Sequence, residues 1–415
     1  MIALGCVVLI TVVLMQTPTS QPADGGWRAD PAVIVKAAKD RPGHRFEEAE
    51  VPAYTVPPVL SPGTTRETWP RRRSELIELF RTHVYGRAPG KPDHVQFDVI
   101  ERDDRAMDGS ATLKRVRITL TQGAKRHAFE MVLFVPNRRT APPPVFVFIN
   151  NRDREMIDAT RKVRDDFWPA EQIVARGYAA AAFQHDDAAP DNKEHWREGV
   201  IGLFEDAAAD VNARPADSWG AVAAWAWAAS RCVDYLETDP DVDAKRVAVV
   251  GHSRGGKAAL CAGMNDERFG LVVSNDSGTG GAALARRGLG EGIERINAAF
   301  PFWFCRNYRQ YGGKPGAMPV DQHLLIAAIA PRAVYVSSAD EDLWADPRGE
   351  FTSLSLADDA FRLFDDPAIE PSAMPGLERP LTVGRRGYHI RRGGHDLIQS
   401  DWARFMDFAD RLWAQ

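Results

Sequence analysis

A short apolar strand that runs into Gly-x-Ser-x-Gly and straight out into a helix leaves very few folds open. In residues 246–260, Arg-Val-Ala-Val-Val-Gly-His-Ser-Arg-Gly-Gly-Lys-Ala-Ala-Leu, the apolar run Val247 to Val250 precedes Gly251, Ser253 and Gly255, and a helix is expected from Gly256 to Met264. This is the context of a nucleophile elbow, where the serine stands on a turn too sharp for Cβ atoms at the flanking positions, hence the glycines. The strained turn holds Ser253 clear of the sheet edge, and the following helix aims its first N–H groups at the point where an oxyanion would form. The same residues also spell Gly251-x-x-x-x-Gly256-Lys257, the start of a phosphate-binding loop. Such a loop continues with Ser or Thr to hold Mg²⁺, whereas Ala258 has no ligand atom, so the serine reading is preferred.

Short, wholly apolar strands surround the elbow. Val145–Ile149, Ala179–Phe183, Val247–Val250, Leu271–Val273 and Ala333–Val336 alternate with helical patterns at Ala221–Glu237, Gly256–Met264, Asp358–Leu363 and Asp401–Leu412. Strands apolar on both faces belong to a mainly parallel sheet with helices on each side. Ahead of them, alternation in Val95–Ile100, Thr112–Leu120 and Ala128–Val135 predicts leading antiparallel strands, and Ser74–Phe80 has helical spacing that Gly86 and Pro89 end. Pro22 to Pro70 is Pro-rich and weakly periodic and reads as an extended arm wrapped on the core. At roughly 150 residues per domain two or three domains would fit, but no repeat or linker divides the chain. The expectation is one domain of α/β-hydrolase fold, with an amino-terminal arm and antiparallel extension over 24–140 and the catalytic core over 141–415.

Ile2 to Met15 form a nearly unbroken apolar run of 14 residues. That is short of the about 20 needed to cross ~30 Å of hydrocarbon, so it reads as the core of a signal peptide over 1–23. The mature chain is then expected in the periplasm or outside the cell, without stable membrane insertion, and as a monomer; Cys6, too early for a complete lipoprotein signal, makes a lipid anchor the lesser reading. Removal of the leader leaves Cys232, Cys261 and Cys305, an odd number without C-x-x-C or zinc spacing, read as small buried apolar residues. A net charge of −5 argues against affinity built on nucleic-acid phosphates or anionic lipid.

A serine hydrolase of this order needs an acid and then a histidine later in the chain. His395, in the loop Arg391-Arg392-Gly393-Gly394-His395-Asp396 before the last helix, is the candidate base; His389 sits in an alternating, strand-like segment. Two acids qualify, Asp276 after the Leu271–Val273 strand and Asp342 after the Ala333–Val336 strand, and either could orient the imidazole. The scheme calls for no metal and no cofactor. His185-Asp186-Asp187 lacks a spaced partner set and reads as a polar loop, and Arg385, Arg386, Arg391 and Arg392 read as a solvated basic face that could also attract an acidic sugar polymer.

The chain resembles a known family, the glucuronoyl esterases of carbohydrate esterase family 15, particularly bacterial members. The resemblance rests on Gly251-His252-Ser253-Arg254-Gly255-Gly256-Lys257, Ser274 to Gly281, Phe300-Pro301-Phe302-Trp303-Phe304, Asp321-Gln322-His323 through Arg332, Asp342-Leu343-Trp344 and Gly393-Gly394-His395. It implies a carboxylic ester hydrolase that cleaves the ester between (4-O-methyl)glucuronate of glucuronoxylan and lignin alcohols. It also implies Ser253 as nucleophile, His395 as base and Arg254 as oxyanion donor. Lys257 would donate to sugar hydroxyls, Glu291 would accept from them, and Trp344 would pack beside the ring. The chain departs from the fungal relatives at the acid, where many carry Glu at the position of Asp276; both acids stay open, with Asp342 preferred. The alternatives are another carbohydrate esterase, such as an acetyl xylan esterase, and a non-catalytic carbohydrate-binding protein on the same scaffold.

Overall fold

The computed structural model describes residues 26–370 and 374–414. The apolar run Ile2–Met15, Cys6 and the expected leader boundary lie outside these residues.

Ten strands form one sheet: β1 (His94–Ala106), β2 (Ala111–Gln122), β3 (Lys125–Pro136), β4 (Val145–Asn150), β5 (Ala179–Gln184), β6 (Val247–His252), β7 (Phe269–Asn275), β8 (Ala333–Ala339), β9 (Leu381–Val383) and β10 (Arg386–Arg391). Their order is β1-β2-β3-β5-β4-β6-β7-β8-β10-β9. β1, β2 and β3 pair antiparallel, as the alternation predicts, and β3 joins β5 antiparallel. From β5 to β10 the pairing is parallel, with β9 closing the far edge antiparallel. The strand period of two distributes each apolar run between two cores. Val145, Val147, Ile149, Val247 and Val249 face one, and Phe146, Phe148, Ala248 and Val250 face the other. Each fully buried Val, Ile or Phe among them contributes roughly 1.5–3 kcal/mol in transfer from water, so these runs anchor the sheet between its two helical layers.

Helices of ten residues or more, numbered in chain order, are α1 (Pro31–Asp40), α2 (Trp69–His83), α3 (Ala221–Leu236), α4 (Arg254–Asn265), α5 (Pro347–Leu356) and α6 (Gln399–Trp413). Every residue of α3 is buried, its apolar side chains in the first core, while Trp402, Phe405 and Met406 of α6 fill the second. Cys232, Cys261 and Cys305 are free, buried thiols.

One expectation fails in the arm. Residues expected to be extended hold α1, begun by Asp30, whose carboxylate accepts from Ala32 N at 2.7 Å, and by Pro31 in the first turn. No residue of α1 is buried. Val33, Ile34 and Ala37 pack on the core only partly buried, and the chain on either side holds the helix in place, with Trp27, Phe46 and Val59 sunk in the core at 3–5% exposure.

Parallel pairing brings the carboxyl ends of four strands together. His252 pairs with Asn275, Asn275 with Ser337, and Arg391 with Ala339. The residues that follow these positions, Ser253, Asp276, Asp342 and His395, therefore meet at one edge of the sheet.

Candidate active site

Ser253 sits between β6 and α4 with φ 55° and ψ −123°, a backbone conformation that residues with a Cβ rarely adopt. A Cβ on Gly251 would fall 2.0 Å from the Gly255 carbonyl oxygen, so the chain can double back here only with glycine. The Ser253 N–H donates to Asn275 O at 2.8 Å, which fixes the turn to β7. α4 begins at the next residue, and the first N–H groups of a helix have no acceptor within it.

Two short hydrogen bonds join three side chains from three loops. His395 Nε2 lies 2.9 Å from Ser253 Oγ, and His395 Nδ1 lies 2.6 Å from Asp342 Oδ2. The Asp342 side chain is 5% exposed and that of His395 42%, so the acid is sheltered while the base faces the solvent side. A carboxylate only accepts, so it holds the proton on Nδ1 and leaves Nε2 free to take the serine proton. Beneath His395, the buried ring of His252 packs with centroids 4.4 Å apart, and its Nδ1 bonds Asn275 Oδ1 at 2.5 Å. Burial, and then the neighbouring His395, push His252 well below the usual histidine range, so it stays neutral under the base.

Asp276, the other candidate acid, does not bond His395. Its Oδ1 accepts from Ala339 N at 2.8 Å, and its Oδ2 has no hydrogen bond, with the Arg391 guanidinium 3.6 Å away. The residue has φ 44°, and its N–H donates to Ser337 O. These backbone ties aim the short side chain at β8 and away from the imidazole. Burial, and then the charge of Asp342, raise its carboxyl well above the ordinary aspartate range. Behind it lies Glu350, fully buried, accepting from Ser277 N, Gly278 N, Ser277 Oγ and Ser338 Oγ. Four donors favour the anion, yet burial outweighs them and pushes Glu350 up to about 8. Asp276, Asp342 and His395 bring one ligand-type atom each within 4.8 Å of one another. Both nitrogens of the imidazole are engaged, however, one by Asp342 and the other by the serine hydroxyl.

The relay opens on a cleft of ≈ 240 Å³ whose walls include Arg254, Lys257, Glu291, Phe300, Trp303 and Trp344. Arg254 lies over Trp303, Cζ to ring centroid 5.0 Å, and its guanidinium pairs with Asp191, which also accepts from Trp303 Nε1 at 2.7 Å. Lys257 corrects the expectation of a donor free for sugar hydroxyls. It is buried, and its three donors are taken by Ser277 O at 2.6 Å, Thr279 O at 2.8 Å and Glu291 Oε2 at 3.1 Å. Glu291 thus stands at the cleft with one oxygen anchored. Trp344 lines the opposite side, with Arg41 Cζ 4.1 Å above its ring.

Sequence reading missed Asp191, which holds Arg254, and Arg41, which reaches the cleft from the end of α1. Neither carries a local motif; only tertiary packing brings them in. Phe300 and Trp303, quoted only as part of a motif, stack at 3.8 Å and form a cleft wall. The basic group does not form one solvated face. Arg386 and Arg391 are buried in β10, paired with Asp358 and Asp366 and with Asp401, while Arg385 and Arg392 stay exposed. His389 is also buried in β10, bonded to Asp401 at 2.7 Å and Tyr335 Oη at 3.1 Å. His185 packs on Trp225, and Asp187 pairs with Arg154, so that cluster is tied into the fold.

With this geometry in hand, the chain can be set beside known proteins. A family model described as glucuronyl esterase of fungi matches residues 118–364, more than half of the chain. A carbohydrate esterase, MZ0003, from an unknown prokaryotic organism is 35% identical, over 97% of this chain and 97% of its own. The 4-O-methyl-glucuronoyl methylesterase of Podospora anserina is 28% identical over 71% of this chain and 56% of its own length. The solved glucuronoyl esterase from Solibacter usitatus superposes with a TM-score of 0.82 at 36% identity, over 88% of this chain and 100% of that one.

Proposed function

This chain belongs to the glucuronoyl esterase family, and from that premise we propose that it hydrolyses the ester joining (4-O-methyl)glucuronate of glucuronoxylan to lignin alcohols, through an acyl-enzyme on Ser253. The observation that carries the mechanism is the hydrogen-bonded path from Ser253 through His395 to Asp342.

Ser253 Oγ attacks the uronate carbonyl carbon while its proton passes to His395 Nε2, and Asp342 balances the imidazolium that results. The carbonyl oxygen becomes an oxyanion beside the amino terminus of α4, where the Arg254 N–H and its guanidinium, held by Asp191, stabilise the charge; one such donor is worth about 10²–10³ in rate. Collapse of the tetrahedral intermediate breaks the bond to the alcohol oxygen, which leaves with the proton from His395. Water, deprotonated by the same nitrogen, then attacks the acyl-enzyme, and uronate departs as Ser253 recovers its proton. Glu291, anchored by Lys257, accepts from sugar hydroxyls, and Trp344 packs beside the ring.

The same proposal places the mature enzyme outside the cytoplasm as a monomer; the apolar run Ile2–Met15 supports export. Among the described residues no helix is long and apolar enough to cross a membrane.

The test is turnover of methyl and benzyl glucuronate, with acetylated xylan beside them, by wild type and Ser253→Ala. Uronate ester cleavage that vanishes in the variant is expected. Wild-type cleavage of acetylated xylan without that of either uronate ester would hand the reading to an acetyl esterase.

A further inference from the structure

An ester has two sides, and the cleft described above accounts for only one. A second hollow of ≈ 390 Å³ adjoins it, lined by Val33, Ala37, Phe46, Leu343, Trp344 and His395. That size lies within the range of small-molecule sites. The two hollows share Arg41, Asp342, Trp344 and His395. Trp344 is therefore the partition between them, and His395 is reached from both.

This partition has a chemical direction. His395 Nε2 delivers the proton to the departing alcohol, so the alcohol must lie within reach of the imidazole. Glu291, the carboxylate suited to accept from sugar hydroxyls, is on the first hollow and absent from the lining of the second. The second joins an apolar wall, formed by Val33, Ala37, Phe46, Leu343 and Trp344, to a charged rim of Lys36, Asp40, Arg41 and Glu341. Val33 and Ala37 of α1 and Trp344 are partly buried and packed on the core, and Phe46 and Leu343 are buried. At its mouth, the exposed Arg41 guanidinium covers the Trp344 ring, and His44 meets that ring edge-on at 4.7 Å. A flat cation resting on an indole marks a position where another π-system can stack.

We propose that the hollow between α1 and Trp344 is the alcohol subsite, that it takes an aryl-bearing alcohol, and that α1 is the element that selects it. This rests on the esterase reading above. It gives the amino-terminal helix, which buries none of its own residues, a role at the site. Methanol, as a leaving group, is too small to reach Val33 and Ala37, so a methyl ester reports the relay alone.

The experiment compares kcat/KM for benzyl and methyl glucuronate in wild type, Val33→Asp, Ala37→Phe and Val35→Asp. Val33→Asp puts a charge in the hollow at a first-turn position where helices accept aspartate, and Ala37→Phe fills the hollow. Val35, 69% exposed, is the control on the same helix. Wild type is expected to favour the benzyl ester by about tenfold or more. The benzyl-to-methyl ratio should fall about fivefold or more in Val33→Asp and Ala37→Phe, and stay at the wild-type value in Val35→Asp. No benzyl preference in wild type, a preference that survives both hollow variants, or an equal loss in Val35→Asp overturns the subsite. Wild type that turns over neither ester overturns the esterase reading and the subsite with it; methyl ester turnover separates the two failures.

Discussion

The ends of β7 and β8 carry the same residue type, one strand apart, a few ångströms from the same imidazole, and do opposite things. Asp342 leaves its strand on a loop that turns its carboxylate to His395 Nδ1 at 2.6 Å. Asp276 follows its strand directly, in a left-handed conformation, and spends one oxygen on the backbone of β8. The first is hydrogen-bonded to the imidazole; the second, fully buried beside Asp342, is pushed toward its neutral form. Distance to a base does not make an acid catalytic. The backbone that aims the carboxylate, and the proton it keeps, decide.

Breaking the relay above both acids has the largest effect. His395→Ala should cost about 10⁴-fold or more in kcat on methyl glucuronate, with KM far less changed; a loss under about tenfold would mean that neither strand end acts through this histidine. A second variant sharpens the contrast. Added to Asp342→Asn, Asp276→Asn should cost less than about threefold more, because its side chain is held by Ala339. A further tenfold drop would show that Asp276 takes over when Asp342 is lost. The smallest effect is on stability and concerns Glu350, the buried group behind Asp276. Its folded pKa of about 8 lies above the ordinary 4.5, so between those values the folded chain holds a proton that the unfolded chain has released. Stability from this group is present at low pH and is lost as pH rises through that window. Glu350→Gln, which can keep the bonds to Ser277 N and Gly278 N, should flatten the fall of Tm with pH there; an unchanged slope would assign the proton elsewhere.

The same contrast explains what could be read from the sequence. Apolar runs buried on both faces and a glycine-flanked serine are local patterns, so the strands from β4 to β8 and the elbow were legible residue by residue. The choice between Asp276 and Asp342 was not, because both follow strands and only the packed loops show which one turns toward His395. The basic stretch around β10 misled for a related reason. A strand buried on both faces reads as apolar, yet Arg386 and Arg391 are paired inside by aspartates distant in sequence. α1 escaped notice because the stripe of Val33, Ile34 and Ala37 that follows Asp30 and Pro31 is short and only partly buried, and Lys257 looked available because its carbonyl partners lie 20 and 22 residues away.

The most direct test sets Asp342→Asn and Asp276→Asn side by side, measuring kcat on methyl glucuronate near neutral pH. A relay that ends on Asp342 predicts a loss of about 10³–10⁴ for the first and less than about tenfold for the second. The reverse order, or equal losses, would contradict it.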